Sequence, residues 1–419
     1  MAHLRVLIIL FLSGISFGCG IIQDSPGPEA RVAAKTLAEQ AGSAASENEL
    51  GFKLFAKVFD QVRTLYVDEV DDATLLNAAA ESMRKAFPEP ANAAEEKLVS
   101  AAIEGMLGSL DPYSAYLNNL NYSAVRDQTR GEFGGIGLQV TKEGEFVKVI
   151  SPIDGTPAAR AGMKAGDVIT HADGNPLTGM TLHASVLRLR GPAGSRVLLT
   201  VKRADLQPFE VAIERARIQI KAVRWSLENG TGYIRIASFT EKATWEFVDA
   251  FETMRTQAGD TLQGIVIDLR NNPGGLLEQS VLISDELLES GNIVSTRSRV
   301  DQRNFNARSG DIAAGLPIVV LVNDGSASAA EILAGALQYH RRAILVGGRT
   351  FGKGSVQTII PFENNDGLKL TTARYYMPSG KSVDGGIEPN IVVKQNPDRE
   401  GDEQRERANQ ELSRLANAG

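Results

Sequence analysis

A chain of 419 residues is too long for one hydrophobic core, because single cores stop growing near ~250–300 residues, and it therefore indicates two or three domains. The apolar fraction of 43% and the charged fraction of 23% are those of ordinary globular proteins. The net charge of −7, with no long run among the 44 Lys and Arg residues, argues against a nucleic-acid-binding protein.

The first residues, MAHLRVLIILFLSGISFGCG, predict an export signal. Arg5 precedes an apolar run that is shorter than the ~20 residues needed to span a bilayer. Cys19 is the only cysteine of the chain, so no internal disulfide can form. Residues 1–19 resemble a bacterial lipoprotein signal peptide, although Ser16 stands where leucine is usual. We expect an exported, periplasmic protein whose lipidated Cys19 anchors it to a bacterial membrane; a plain cleaved signal or a buried cysteine is the alternative.

The next three segments differ in pattern. Residues 20–48 are rich in Ala, Ser, Glu, Pro and Gly without an apolar period and are interpreted as a flexible tether. Residues 49–129 show apolar side chains at helical spacing and predict an N-terminal helical region. Residues 130–215 contain short alternating segments separated by Gly and Pro, which predict a small β-rich domain.

Residues 216–395 alternate predicted strands with predicted helices. The strands are GYIRIASF, GIVIDLR, PIVVLV and AILVGG, and helical segments begin near Lys242, after NNPGG and at Ser328. Strands that alternate with helices indicate a mainly parallel sheet with crossover connections, so the predicted fold class is α/β. Residues 396–419 form a charged C-terminal tail that we expect to be frayed or a loose helix.

Two of these strands end in loops that suit chemistry. GIVIDLR leads into NNPGG, which contains Gly274 and Gly275, and PIVVLV leads into residues 323–328, which contain Ser326 and Ser328. Functional sites of open parallel sheets form where strands lead into helices. A Gly-Gly turn and a helix start both present backbone N–H groups, which together suit a developing oxyanion. One of the two serines is therefore a candidate nucleophile, and close packing of small residues is the alternative.

A nucleophilic serine needs a base, and histidine is a poor candidate here. Of the four histidines, three lie in the leader or in the β-rich domain. His340 follows Ser328 by twelve residues on the same predicted helix, which places it ~18 Å away. Lys353 is bracketed by Gly352 and Gly354, and burial near a helix start can lower a lysine pKa from ~10.4 towards 7. Ser–Lys pairs are a known form of nucleophilic catalysis.

Two similar motifs point elsewhere and are set aside. Residues 347–353 fit the first part of a phosphate-binding loop, GxxxxGK, but Gly354 stands where Ser or Thr should bind magnesium. The following SVQTIIPF also predicts a strand where a nucleotide-binding loop needs a helix. Residues 82–85 match SxxK, but they lie on a helical pattern without the companion SDN or KTG motifs, so a solvated helix face is the preferred interpretation.

An extended set of motifs resembles the carboxyl-terminal processing proteases of peptidase family S41, which are periplasmic or thylakoid serine peptidases with an embedded PDZ domain. The resemblance covers residues 50–393. It implies a ClpP/crotonase-like protease core with a mainly parallel sheet, an N-terminal helical region and an inserted, β-rich PDZ domain. The motifs that carry it are DPYSAYL, FGGIGLQV, PAARAGMKAGDVI, GYIRIASF, IDLRNNPGG, NDGSASAAEILAGALQ, GGRTFGKGSVQ and ARYYMPSGKSVDGGIEPNI.

Carried over residue by residue, the resemblance implies the roles of individual side chains. The nucleophile falls on Ser328, the general base on Lys353, and the residue that orients the lysine on Gln357. The implied oxyanion hole combines the backbone N–H of Ala329 with one N–H from the turn Gly274–Gly275, and either glycine fits.

In the β-rich domain, a glycine-rich loop resembles the carboxylate-binding loop of a PDZ domain. Its residues are Gly135, Ile136, Gly137 and Leu138. Such a loop points successive N–H groups at a terminal carboxylate, while an edge strand accepts the peptide by β-augmentation. The following PAARAGMKAGD is typical of PDZ domains and favours this interpretation.

We therefore expect a serine endopeptidase that cleaves exported proteins near or from their C-terminus. Its expected partners are protein or peptide substrates with apolar C-terminal tails. The sequence is also compatible with an adaptor protein and with a homo-oligomer. We expect no metal and no cofactor, because no His/Cys/Asp cluster has ligand spacing and a lysine base needs none. Two rival functions are a catalytically inactive PDZ scaffold and an acyl-transfer or acyl-CoA enzyme on the related crotonase-like fold. The export signal disfavours the second, since coenzyme A is cytosolic.

Overall fold

The structure is a computed structural model that describes residues 26–41, 50–153, 155–204, 206–395 and 401–417. Cys19 and the predicted leader lie outside the described residues. The described chain forms two compact units, one of which comprises the residues up to Tyr116 with Leu368–Thr371, while the other comprises the remainder. None of the helices in these ranges is long and apolar enough to cross a membrane.

The first unit is mainly helical. Its elements are α1 (Pro28–Gln40), α2 (Leu50–Leu65), α3 (Asp72–Ala86), α4 (Glu95–Gly108) and the short strand β1 (Ala115–Leu117). The largest side chains of its core are Phe52, Phe55, Phe59, Leu75, Met83, Ile103 and Met106, all fully buried. Helices α2 and α4 lie within residues 49–129, where the apolar periodicity predicts helices.

Part of the predicted tether is helical. Pro28 begins α1 at a position where proline is tolerated, since its missing N–H has no intrahelical partner there. The buried residues of α1 are Ala30, Ala33, Ala34, Leu37 and Ala38. They recur at helical spacing, but alanine side chains make a weak apolar pattern. The flexible tether expected over residues 20–48 therefore does not include Pro28–Gln40.

The second unit begins with α5 (Asn119–Arg130) and continues into the β-rich domain. Its elements are β2 (Glu132–Gly135), β3 (Leu138–Glu143), β4 (Phe146–Pro152), α6 (Pro157–Arg160), β5 (Val168–Ala172), β6 (Asn175–Pro176), α7 (Leu182–Leu189), β7 (Arg196–Lys202), β8 (Phe209–Glu214) and β9 (Ala216–Gln219). The main sheet has the order β3-β4-β5-β7-β8, so β3 is an edge strand. The entering and leaving strands β2 and β9 pair as an antiparallel ribbon.

The same unit contains a six-stranded sheet in the order β10-β11-β12-β15-β16-β19. These strands and the elements between them are β10 (Val223–Glu228), β11 (Thr231–Ile236), α8 (Ala243–Ala258), β12 (Gly264–Asp268), α9 (Leu277–Asp285), β13 (Gly291–Arg297), β14 (Gln302–Ala307), β15 (Ile318–Val322), α10 (Ala329–Tyr339), β16 (Ile344–Gly347), β17 (Ser355–Pro361), β18 (Gly367–Tyr376) and β19 (Ile391–Val392). Only β10 pairs antiparallel to its neighbour. The predicted α/β class with a mainly parallel sheet is confirmed.

Helices cover both faces of this sheet. Alternate residues of β12, such as Ile265 and Ile267, belong to the large apolar cluster with α8, α9 and α10. Val266 faces the other way and packs against Ala408 and Leu412 of the last helix, α11 (Glu403–Ala416). The charged tail thus folds into an ordered helix with two apolar residues four positions apart, which is enough to seat it on the sheet.

Candidate active site

The site forms where β12 and β15 end side by side. The two strands are parallel, and their register pairs Asp268 with Leu321, so the loops that follow meet at one edge of the sheet. Ser326 is fully buried there, donates its hydroxyl to the Leu269 carbonyl at 2.8 Å and accepts the Asn323 N–H at 3.0 Å. These bonds make Ser326 a turn residue that connects the two loops.

The NNPGG turn is fixed by the fully buried Asn272. Its Nδ2 donates to the Ile236 carbonyl at 2.9 Å, and its Oδ1 accepts the Gly274 N–H at 2.9 Å. Its own carbonyl accepts the N–H of Ala327, the residue before Ser328, also at 2.9 Å. One asparagine therefore connects strand β11, the glycine turn and the serine loop.

Ser328 stands at the junction of this loop and α10, and it has an unusual backbone. Its φ of 56° and ψ of −115° lie in a region that residues with a Cβ seldom occupy, at a cost of ~1–3 kcal/mol. Serine nucleophiles that sit on a sharp strand-to-helix turn share this kind of strain. The next residue, Ala329, begins the helix, so its N–H has no acceptor four residues earlier within the helix.

The glycine turn lies directly against Ser328. Gly274 has a φ of +103°, and a methyl group on its Cα would lie 2.9 Å from the Ser328 Cβ and 3.1 Å from the Ala329 nitrogen. Only glycine allows this approach without displacing the serine. The turn and the start of α10 therefore converge, as expected for two parts of one oxyanion site.

The lysine loop, residues 351–354, leads from β16 into β17. Gly352 has a φ of +90°, and a Cβ there would lie 2.7 Å from the Gly385 nitrogen. Gly354 is buried, and a Cβ there would lie 2.7 Å from an Asp384 carboxylate oxygen. Gly352 is thus required by its backbone conformation and by close packing against backbone atoms, whereas a Cβ at Gly354 would meet only side-chain atoms of Asp384 and Ser382. The half-buried Lys353 lies between the two glycines. The strand β17 confirms that no helix follows the GxxxxGK motif.

Glu331, which no sequence motif singled out as a site residue, connects the serine loop to the lysine loop. This carboxylate is fully buried and accepts hydrogen bonds from the Ser328 N–H at 2.8 Å and the Lys353 N–H at 2.9 Å. The Thr350 hydroxyl and the Gly352 N–H donate to its other oxygen at 2.6 and 2.7 Å. An ionised carboxylate only accepts hydrogen bonds, so it satisfies all four donors.

The other side of the lysine loop is also held. The hydroxyl of the buried Tyr375 donates to the Lys353 carbonyl, and the Tyr375 N–H donates to the Gly354 carbonyl at 3.0 Å. Gln357, predicted to orient the lysine, donates its Nε2 to the Ser355 hydroxyl at 3.0 Å. The backbone of Lys353 is therefore fixed at both its N–H and its carbonyl.

His340 lies at the other end of α10 from Ser328. It caps the helix C-terminus, and its Nε2 is 2.8 Å from the Asn292 carbonyl oxygen. This placement agrees with its exclusion as a base. Among the described residues, no group of three or more His, Cys, Asp or Glu side chains is arranged to hold a metal ion.

Two carbonyl groups of the predicted carboxylate-binding loop accept hydrogen bonds from the backbone of the PDZ-like domain itself. The Ile136 carbonyl accepts the Ala158 N–H at 2.8 Å, and the Gly137 carbonyl accepts the Ile153 N–H at 3.0 Å. In a trans peptide the N–H points opposite to the carbonyl of the same unit. The N–H groups of Gly137 and Leu138 therefore point away from these contacts, which is the arrangement that a carboxylate requires.

This loop lies beside α7 and begins the edge strand β3. The Gly191 N–H, just after α7, donates to the Gly134 carbonyl at 3.1 Å, which brings the end of the helix to the loop. Leu138 and the buried Leu189 belong to the same apolar cluster. The start of the edge strand β3 therefore lies next to the apolar cluster that contains Leu189.

Comparisons with known proteins agree with this geometry. Residues 230–393 match the model of peptidase family S41, and residues 134–213 match a PDZ domain model. The carboxy-terminal-processing protease of Bartonella bacilliformis is 46% identical over 346 residues, which are 81% of this chain and 74% of that protein. The carboxy-terminal processing protease CtpA of Bacillus subtilis is 32% identical over 351 residues, or 83% and 70% of the two chains.

A solved structure leads to the same family. The photosystem II D1 C-terminal processing protease is 30% identical with a TM-score of 0.52, and the match covers 83% of this chain and 94% of that one. A putative S41 protease from Bacteroides fragilis, 17% identical with a TM-score of 0.53 over 86% and 97% of the two chains, shares the fold. The chain therefore belongs to peptidase family S41 and is a carboxy-terminal processing serine protease with a PDZ domain.

Proposed function

We propose that Ser328 and Lys353 form the catalytic dyad of this protease and that it cleaves exported proteins near or from their C-termini. The observation that carries the proposal is the bridge through Glu331, which accepts the backbone N–H of the strained Ser328 and that of Lys353. One buried carboxylate thus fixes both residues relative to each other.

The proposed reaction needs a neutral lysine amine. The Ser328 hydroxyl oxygen forms a bond to the scissile carbonyl carbon while its proton passes to the Lys353 amine. The tetrahedral intermediate then breaks its C–N bond, and the lysine returns the proton to the leaving amine. Water, deprotonated by the same lysine, hydrolyses the acyl-enzyme. Gln357 is proposed to hold the lysine chain in line with Ser328.

The oxyanion is proposed to accept hydrogen bonds from the backbone N–H groups of Ala329 and Gly275. The choice of glycine is supported by the hydrogen bonds of the turn, because the Gly274 N–H is already donated to Asn272. The Gly274 carbonyl accepts the Phe239 N–H at 2.9 Å, so the Gly275 N–H of the same peptide points the other way. Each oxyanion donor is typically worth ~2.7–4 kcal/mol of transition-state stabilisation.

The PDZ domain is proposed to recruit substrates through apolar C-terminal tails. The terminal carboxylate binds the N–H groups of Gly137 and Leu138, and the tail adds as a strand to the edge of β3. The apolar cluster that contains Leu189 supports a preference for an apolar last residue.

The experiment compares one fluorogenic polypeptide that ends in a free apolar tail with the same polypeptide carrying an amidated tail. The wild-type protein should cleave the free-tail substrate faster, and Ser328→Ala and Lys353→Ala should abolish cleavage of both while keeping the wild-type melting temperature. A folded Ser328→Ala protein with wild-type turnover refutes the dyad. Equal binding of the two tails removes carboxylate capture.

We further propose that the protease is exported and anchored to the membrane of a bacterial cell envelope through a lipidated Cys19. The support is the N-terminal sequence, in which Gly18 and Cys19 follow an apolar run. The mass of the mature N-terminal peptide and metabolic labelling with palmitate test this, and an unmodified N-terminus contradicts it.

A further inference from the structure

A second, partly buried network joins the proposed oxyanion turn to the last helix. Its centre is Arg270, the residue that immediately precedes the NNPGG turn. The Arg270 guanidinium binds the fully buried Asp268 at 2.6 Å, and both of its terminal nitrogens donate to the carboxylate of Asp402 at 2.8 Å. Such bidentate pairs have a fixed geometry as well as charge.

Asp402 belongs to the start of α11. It is the N-cap residue of this helix and accepts the Arg405 N–H at 2.9 Å with the same oxygen, Oδ1, that binds Arg270. Gln404, in the first turn, also accepts a bond from Arg270 at 3.2 Å. Burial alone would raise the pKa of Asp402, but the hydrogen bonds from Arg270 and from the Arg405 N–H, together with the charges of the two arginines, outweigh it, so the pKa lies below its ordinary value.

The backbone of Arg270 is fixed by the same network. Its N–H donates to Asp268 Oδ1 at 2.9 Å, and its carbonyl accepts a bond from Arg235 at 3.2 Å. Asp268, at the end of β12, also accepts the hydroxyl of Tyr233 on β11 at 2.5 Å, so its carboxylate is held by the neighbouring strand as well as by Arg270. The peptide that starts the glycine turn therefore has a defined orientation, and Gly275 follows only five residues later.

We propose that Asp402, at the start of the C-terminal helix α11, is a positioning residue for the oxyanion turn and acts through Arg270. The proposal rests on the proposed function of Gly275 as an oxyanion donor. When Asp402 holds the guanidinium, Arg270 is clamped between two carboxylates, and the turn keeps its N–H aimed at the reacting carbonyl. Without this bond Arg270 keeps only its ion pair with Asp268, and the turn gains freedom at the place where a hydrogen-bond donor must be aligned.

The test is Asp402→Asn, because asparagine caps helices as well as aspartate does but cannot accept both guanidinium bonds. The matched control is Glu228→Gln, which removes a different ion pair of α11, that of Glu228 with Arg405 at 2.9 Å, and does not touch Arg270. Both variants are assayed on the full chain, well below their melting temperatures. Asp402→Ser, whose shorter side chain still caps, serves if Asp402→Asn unfolds.

Three measurements separate positioning from folding. We expect Asp402→Asn to lower kcat on a short peptide at least tenfold while KM stays within about twofold of wild type. We expect the affinity for a peptide aldehyde, which forms an oxyanion when it bonds to Ser328, to fall by a similar factor. Glu228→Gln should leave both unchanged, and both variants should bind a free apolar tail normally. A kcat and aldehyde affinity within twofold of wild type, or equal losses in Glu228→Gln, overturn the proposal. A wild-type protein that does not bind the aldehyde at Ser328 refutes the proposed function instead.

Discussion

Replacing Glu331 by glutamine should lower both the stability of the fold and kcat, because the carboxylate holds both residues of the proposed dyad. The carboxylate satisfies four donors, two on each oxygen. Glutamine keeps the shape but has one oxygen, and its amide group must face one pair of donors. If the amide faces Thr350 and Gly352, the Gly352 N–H loses its acceptor; if it faces the other pair, Ser328 and Lys353 both lose theirs.

The size of the effect follows from these bonds. A hydrogen bond to a charged group contributes ~1.5–3 kcal/mol, so the loss of one or two should cost about 1.5–6 kcal/mol. At ~2–4 °C per kcal/mol for a domain of this size, the melting temperature should fall by about 3–24 °C. Because a misplacement of ~1 Å can cost ~10²-fold in rate, we expect kcat to fall about a hundredfold.

Calorimetry and steady-state cleavage of a short peptide, both on the folded variant, measure the two quantities. The matched control is Glu246→Gln on α8, a half-buried carboxylate that accepts the Val223 N–H at 2.9 Å and has no bond to either loop. The control should lose some stability and keep its kcat. A folded Glu331→Gln enzyme with kcat within threefold of wild type would contradict this role of Glu331.

Three further predictions follow from glycine packing and from charge. Gly274→Ala should reduce kcat strongly, because its methyl group meets Ser328, whereas Gly315→Ala, with a φ of +81° and open space around it, should change only stability. Gly137→Ala, whose methyl group would collide with a threonine side chain, should abolish the preference for free over amidated tails in a peptide-binding titration; Gly144→Ala, in open space on the same domain, should keep it. Burial alone would raise the pKa of Asp268, but its hydrogen-bond donors lower it, so the stability it contributes is present above its ordinary pKa of 3.8 and is lost as pH falls through the folded value. The melting temperature should therefore fall below about pH 4, less steeply in a folded Asp268→Asn variant, and an equal acid slope in both would contradict this assignment.

Short sequence patterns predict the strands β12 and β15 and the loops that follow them, because these features depend on residues that are close together in the sequence. The apolar runs of β12 and β15 are buried on both faces, which is why they stand out from their surroundings. The loops after them were recognisable because small residues and glycines follow the strands directly. Glu331 had a local signal too, since Ser328 and Glu331 have the S-x-x-E spacing of a capping box.

Other parts depend on contacts between residues far apart in sequence. Asn272 looks like an ordinary turn residue, and its role comes from β11 and from the serine loop. Charged residues surround Ala408 and Leu412 in the sequence, so the apolar pattern of the tail is weak and predicts a loose segment. The position of the tail helix depends on the contact of these two residues with Val266 on the sheet. Periodicity reports that a face is apolar, but it does not report which surface covers it.

In the proposed mechanism, an uncharged Lys353 activates Ser328. The most direct measurement is the rate of covalent labelling of Ser328 by a fluorophosphonate across about pH 5 to pH 10, in the wild type and in Lys353→Met. The account predicts a wild-type rate that rises to half its maximum well below the ~10.4 of a free lysine, and negligible labelling of a folded Lys353→Met protein at every pH. Labelling of Lys353→Met at the wild-type rate, or a wild-type rate that still rises steadily at the alkaline end, would contradict it.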